Sequence, residues 1–222
     1  MNDLLDQIAK CVEFGKINRA AQYPPEMKGE DGADELTQQA LEKGISPGKI
    51  LSEALIIGMN RIGMKFRENK VFVPHVLLSA KAMGTAMNHL KKYFNDGTVQ
   101  HKGKFIIGTV EGDLHDIGKN LVCMIVEGNG YEVIDLGVDA GVDKYIAAIK
   151  ENPGSFVGMS ALLTTTMLNM EKINAAIKTS YPEVKTFIGG APVNHDFAKK
   201  IGADYYTTEP QALVDILNEL TT

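Results

Sequence analysis

"KFIIGTVEGDLHDIGKNLVCMIVEGNGYEVIDLG", Lys104 to Gly137, decides the fold. "KFIIGTV" is a short β-rich run, "IGKNLVCMIVEGNG" has helical spacing and closes on glycines, and "YEVIDLG" is β-rich again. A strand, a helix and a second strand at this spacing form a βαβ unit, whose strands lie parallel. Toward the C-terminus the alternation continues. "FVGMSAL", "KTFIGG" and "ADYYT" read as strands, and "VDKYIAAIKENPG", "MLNMEKINAAIKTS", "DFAKKIG" and "EPQALVDILNEL" as helices. Toward the N-terminus the character changes near Asn95. "LLDQIAKCVEFGKINRAA", "ADELTQQALEKG", "PGKILSEALIIGMNRIGMKF" and "VPHVLLSAKAMGTAMNHLKKYF" carry Leu, Ile, Val and Met at helical spacing, with Pro or Gly at their ends, which predicts about four helices.

The expected organisation is an α/β protein with an all-α N-terminal domain: a helical bundle over residues 1–95, a polar link over 96–103 within "NDGTVQHKGK", and a five-stranded parallel sheet domain over 104–222. Five strands in this pattern usually adopt the flavodoxin-like (Rossmann-type) order, with a ligand crevice at the carboxyl ends of the first and third strands. The 222 residues, 44% of them hydrophobic, suffice for real cores. A net charge of -5 and pI near 5.6 argue against a partner that is nucleic acid or anionic membrane, since phosphate rewards clustered Lys and Arg. Cys11 and Cys123 lie far apart without metal-type spacing. "MNDLLDQIAKCVEF" has acids where a signal peptide has basic residues, and no apolar run approaches the ~20 residues of a spanning helix, so a cytoplasmic location is expected.

Three loops should meet at the crevice: "EGDLHDIGKN" after the first strand, "SALLTTT" after the third, and "GGAPVN" after the fourth. Asp113 and His115 are two apart, so in an extended loop the carboxylate can hold one imidazole nitrogen while the other faces outward. That arrangement fixes a tautomer and makes the imidazole a better metal ligand. Asp116 should cap the following helix by accepting from its exposed amides, and Gly118 should let the helix start pack closely. The pair Gly189 and Gly190 allows something bulky near the backbone. His115 alone is as readily an ordinary loop histidine.

Other chemistries fit less well. A phosphate-cradling loop would show GxxxxGK[ST] and few acids, whereas Glu111, Asp113 and Asp116 repel phosphate. A phosphoryl-accepting receiver would want an acid at the end of strand three, and Ser160 to Thr166 holds none. Zinc hydrolysis needs about three protein ligands, and Asp113, His115 and Asp116 are too close in sequence to share one ion. A single protein ligand suggests a metal that arrives inside a cofactor.

DxHxxG as Asp113-Leu114-His115-Asp116-Ile117-Gly118, SxL as Ser160-Ala161-Leu162, and Gly189-Gly190 together resemble the cobalamin (corrinoid)-binding module. The helical segment resembles the cap that precedes this module in methionine synthase and in small corrinoid proteins of methyltransferase systems. The resemblance implies that the nucleotide tail leaves cobalt and enters the sheet crevice, with His115 as lower axial cobalt ligand and Asp113 as its hydrogen-bonded partner. It makes Asp116 and Gly118 cofactor-binding members of the motif, and Ser160, Leu162, Thr164, Gly189 and Gly190 the lining of the tail's tunnel. Phe66 and Val73 match cap positions that lean on the upper corrin face, where apolar cover shelters a methyl group and keeps water and oxygen from reduced cobalt. By themselves those two residues read as ordinary bundle core.

With no room for a substrate-binding barrel, the chain resembles a methyl carrier, a component of a methyltransferase system rather than a complete enzyme, with no catalytic side chain of its own. The family implies a cofactor that cycles between cob(I)alamin and methylcobalamin. It implies as partners a substrate-specific methyltransferase, a second methyltransferase acting on tetrahydrofolate or coenzyme M, and a reductive activating protein. The link "NDGTVQHKGK" is expected to be the hinge on which the cap swings away. The small subunit of a radical mutase would share the module but lack the cap with its Phe66. A cobalamin-based sensor would add a signalling segment, and a cofactor-free flavodoxin-like module would be colourless. Met59, Met64, Met83 and Met87 read as core, His75 as surface or cap, His89 and His101 as solvated, and His195 as a helix opener or tail neighbour. The stretch Phe14 to Glu35 is longer than expected between the first cap helices and reads either as a docking element or as a tolerated loop.

Overall fold

The computed structural model describes residues 2–95 and 97–221; Met1, Asp96 of the link and Thr222 lie outside the described residues. The chain divides into two compact units, one of residues 1–101 with 128–130, the other of residues 102–127 with 131–222.

The first unit is helical: α1 (Asn2–Phe14), α2 (Ala33–Glu42), α3 (Pro47–Ile50), α4 (Ile56–Arg67) and α5 (Val73–Asn95). A π-helical turn, Leu51–Leu55, joins α3 to α4, so the third predicted helix is one run with a single widened turn. α1 packs against α2, α4 and α5, and Ile8, Val12, Ile50, Leu55, Met59 and Leu90 fill the core because their spacing puts them on facing stripes. Met83 joins them, but Met64 is exposed: α4 is in its last turns there, and the position faces off the stripe. His89 is not simply solvated, since its Nε2 lies 2.6 Å from Asp34 Oδ1 and ties α5 to α2. His75 caps α5, its Nδ1 accepting from the Phe72 amide at 3.1 Å.

The segment between α1 and α2 folds on itself. Arg19 Nε donates to Asp31 and its amide to Glu35, while fully buried Lys16 donates through Nζ to the Ala21 carbonyl. The end of the link is also ordered. Val99 is buried, its amide donates to the Tyr93 carbonyl at 2.9 Å, and the His101 ring stacks on Phe94 at 4.4 Å. The division between units therefore falls after His101 rather than across the whole link.

The second unit alternates β1 (Lys104–Thr109), α6 (Ile117–Gly128), β2 (Glu132–Asp135), α7 (Val142–Glu151), β3 (Phe156–Ser160), α8 (Thr164–Met167), α9 (Asn169–Ser180), β4 (Thr186–Gly189), α10 (His195–Ile201), β5 (Tyr205–Tyr206) and α11 (Pro210–Leu220). The sheet is parallel throughout, in the order β2-β1-β3-β4-β5, with Thr109 opposite Ser160. Phe105, Ile106, Ile107, Val157, Met159, Phe187 and Ile188 are all buried, as central parallel strands covered on both faces require. The order in which successive strands are laid down reverses between β1 and β3, so their carboxyl ends open the switch-point crevice.

Candidate functional site

The loop after β1 is built around one carboxylate. The Asp113 amide donates to the Val110 carbonyl at 3.0 Å, closing a turn in which Gly112 takes a left-handed φ of 78° and donates to Asp139 Oδ1 at 2.7 Å. This turn drives Asp113 inward until its side chain is 0% exposed. Oδ1 accepts from the His115 amide at 3.0 Å and from His115 Nδ1 at 2.7 Å. Oδ2 accepts from the Leu162 amide at 2.8 Å, the Leu163 amide at 3.4 Å and the Thr166 hydroxyl at 2.6 Å. Burial pushes the Asp113 carboxyl up, but the donors from Thr166, Leu162 and His115 outweigh it and hold the group well below the usual carboxylate range.

An ionised Asp113 accepts the Nδ1 proton, so the lone pair of His115 sits on Nε2. The histidine side chain is 50% exposed. Leu114 and Ile117 beside it are 71% and 79% exposed, and Leu162 and Leu163 after β3 are exposed as well. An imidazole among exposed aliphatic side chains at a sheet's carboxyl edge is a site for a large, partly apolar ligand with an electrophilic centre. Among the described residues no group of three or more His, Cys, Asp or Glu could hold a metal ion. Both thiols are buried, which pushes Cys11 and Cys123 up to about 12.

Several sequence expectations change at this resolution. Asp116 precedes α6 and its carbonyl accepts from the Asn120 amide at 2.7 Å, but its carboxylate takes the Asn120 side-chain amide at 3.0 Å instead of a main-chain donor. Gly118 does not pack closely: a Cβ there meets nothing within 4 Å. Thr164 is the exposed first residue of α8, and the hydroxyl that turns inward belongs to Thr166. The triple-threonine run hid this, because periodicity does not say which of three neighbours starts a helix. Gly190, at φ 124°, faces chain: a Cβ there would stand 1.9 Å from the Ala161 carbonyl, so β4's exit lies against β3's exit. Gly189 has only a contact at 3.4 Å, from Thr207. Ser160 ends β3 and its carbonyl accepts from the Val110 amide at 3.0 Å. His195 is exposed and opens α10 behind Asn194, whose side chain caps the helix. Phe66 and Val73 are half-buried, in the last turn of α4 and the first of α5.

A family model described as B12 binding domain matches residues 103–216, and a second model with the same description matches residues 29–91. The chain belongs to the B12-binding corrinoid proteins. A trimethylamine corrinoid protein of Methanosarcina acetivorans is 39% identical over 80% of this chain and 84% of its own. A dimethylamine corrinoid protein of Methanosarcina barkeri is 37% identical over 98% of this chain and 97% of its own. Among solved structures, the methanol:cobalamin methyltransferase complex MtaBC of Methanosarcina barkeri matches with TM-score 0.82 at 29% identity, over 99% of this chain and 80% of that one. A cobalamin-binding protein of Desulfitobacterium hafniense matches with TM-score 0.75 at 26% identity, over 97% of each chain.

The corrinoid is thus the cofactor, and this chain is a methyl-carrying corrinoid protein of the methyltransferase-system type with a methyltransferase as partner. The site fits such a group. A corrin ring brings nitrogen donors of its own and would ask little of the protein, which matches a lone half-exposed imidazole in place of a ligand cluster. The exposed Leu114, Ile117, Leu162 and Leu163 and the open space at Gly118 suit a broad, largely apolar ligand. Among the described residues no helix is long and apolar enough to cross a membrane.

Proposed function

We propose that this chain takes a methyl group from a methylated amine held by a substrate-specific methyltransferase and delivers it to a second methyltransferase acting on tetrahydrofolate or coenzyme M. The observation that supports the site is the buried Asp113 holding Nδ1 of a half-exposed His115, so that the Nε2 lone pair would hold the cobalt of a bound corrinoid. When bound, the corrinoid supplies the centre that accepts and gives up the methyl group. Asp113 fixes the tautomer and ring direction of His115. Leu114, Ile117 and Leu162 offer apolar contact around it, and Asp116 and Gly118 shape the start of α6. Ser160, Leu162, Thr164 and Gly189 line the path of the nucleotide tail, and Gly190 lets the β4 exit close on the β3 exit beside it. Residues 1–95 act as a cap whose Phe66 and Val73 shelter the upper face from water and oxygen, and of the link at 96–103 the part after His101 lets it move. A reductive activating protein rescues oxidised cofactor, and a cytoplasmic setting goes with this redox demand and with two buried, unpaired thiols.

Similarity to trimethylamine and dimethylamine corrinoid proteins supports an amine as the donor. The test mixes the reduced, cobalamin-loaded protein with purified trimethylamine, dimethylamine or methanol methyltransferase and each enzyme's substrate, and follows the visible spectrum. Methylation with an amine system is expected. Methylation by the methanol system alone would overturn the donor assignment.

A further inference from the structure

Lys119 is an unusual presence in α6. The side chain is 2% exposed in an otherwise apolar stripe with Cys123 and Val126, and a buried ammonium persists only where its donors are used. Its Nζ donates to Asp135 Oδ2 at 2.6 Å, at the end of β2, and to Asn120 Oδ1 at 2.7 Å. Both partners lead back to the histidine. Asn120 Nδ2 donates to Asp116 Oδ2 at 3.0 Å, one residue beyond His115. On the other side Asp135 Oδ1 accepts the Gly137 amide at 2.8 Å, the Gly137 carbonyl accepts the Thr109 amide at 2.9 Å, and the Thr109 hydroxyl donates to the His115 carbonyl at 2.9 Å. These bonds close a ring through the backbone on both sides of the histidine, and the Asp113 carboxylate takes no part in it.

We propose that Lys119 is a positioning residue for the corrinoid site: it ties the start of α6 to the ends of β1 and β2, and so holds the His115 main chain in place while Asp113 orients the ring. The inference rests on His115 being the axial ligand. A network that only stabilised the fold would affect cofactor binding equally with or without the imidazole, whereas a positioning network acts through it. Lys119→Met keeps the side chain's length and removes the buried ammonium, and the carboxylate it leaves behind, Asp135 at 42% exposure, stays in contact with water instead of becoming an uncompensated buried charge.

The experiment measures the rate at which hydroxocobalamin is lost from wild type, Lys119→Met, His115→Ala and the double variant, beside thermal unfolding of each apo-protein. Lys119→Met should lose the corrinoid about tenfold faster than wild type, the scale of effect seen when groups that orient a metal ligand are removed. The double variant should lose it at the His115→Ala rate to within about twofold, the margin expected when one effect operates through the other. Asp135→Asn, at a half-exposed side chain, opens the same ring and repeats the test should Lys119→Met fail to fold. Equal fold-losses in both backgrounds, or no loss in either ring variant, would overturn the positioning role. Spectra and retention in His115→Ala identical to wild type would instead remove the axial ligand, and this inference with it.

Discussion

At the scale of single residues, the site depends on a carboxylate kept ionised inside the protein. Folding holds the Asp113 carboxyl below its unfolded value, so the charged form is the one folding favours. Its contribution is complete above the unfolded carboxyl pKa of about 3.9 and drains away as pH falls toward the lower folded value. Asp113→Asn turns an amide group toward donors that need acceptors, and should cost the apo-protein about 1–3 kcal/mol near neutral pH. The difference from wild type should be level from pH 8 down to about 5 and shrink below about 4, measured by denaturant unfolding at each pH. A difference that grew on acidification would contradict the assignment. The Asp113–His115 pairing was legible from a spacing of two in a turn, because it is local. Thr166 was not, because it lies 53 residues from Asp113 in sequence, and the bonds of Thr109 to the His115 carbonyl and of Lys119 to Asp135 were not, because they depend on how the chain turns back between β1, α6 and β2. Lys119 did leave a trace, since it shares a helical stripe with Cys123 and Val126, both buried.

At the scale of elements, the glycines sort by what stands opposite them. Gly190 combines φ 124° with a backbone carbonyl where a Cβ would go, so Gly190→Ala should destabilise the apo-protein by more than about 2 kcal/mol. Gly118 lies in the first turn of α6 with open space, so Gly118→Ala should raise apo stability by about 0.5–1 kcal/mol through helix propensity. The same methyl group should weaken corrinoid retention if the cofactor uses that space, and calorimetry with and without hydroxocobalamin reads both. The strand order was readable from sequence patterns, because two-sided burial and βα alternation leave few arrangements. The patterns did not give the widened turn at Leu51–Leu55 or the short α8, where no composition change marks the boundary. The two glycines of one dipeptide looked equivalent in sequence, and only the approach of the β3 exit separates them.

At the scale of the molecule, one unit carries the imidazole, and the other is a helical bundle with half-buried Phe66 and Val73. If those residues shelter the upper face, Phe66→Ala should leave the amount of bound cobalamin unchanged while reduced cofactor oxidises in air about severalfold faster, followed in the visible spectrum. Unchanged oxidation would remove Phe66 from the cap's protective surface. The two-part organisation was readable from the change in periodicity near Asn95, but the link was not. Val99 and His101, in a stretch of polar and small residues, gave no sign that they fold back on Tyr93 and Phe94.

The most direct test of the account is the electron paramagnetic resonance spectrum of the cobalamin-loaded protein after one-electron reduction, recorded with natural and with isotopically labelled histidine nitrogen. The account predicts a nitrogen splitting that changes with the label in wild type and is lost in His115→Ala. A wild-type splitting indifferent to the label, or one that survives the substitution, would contradict it.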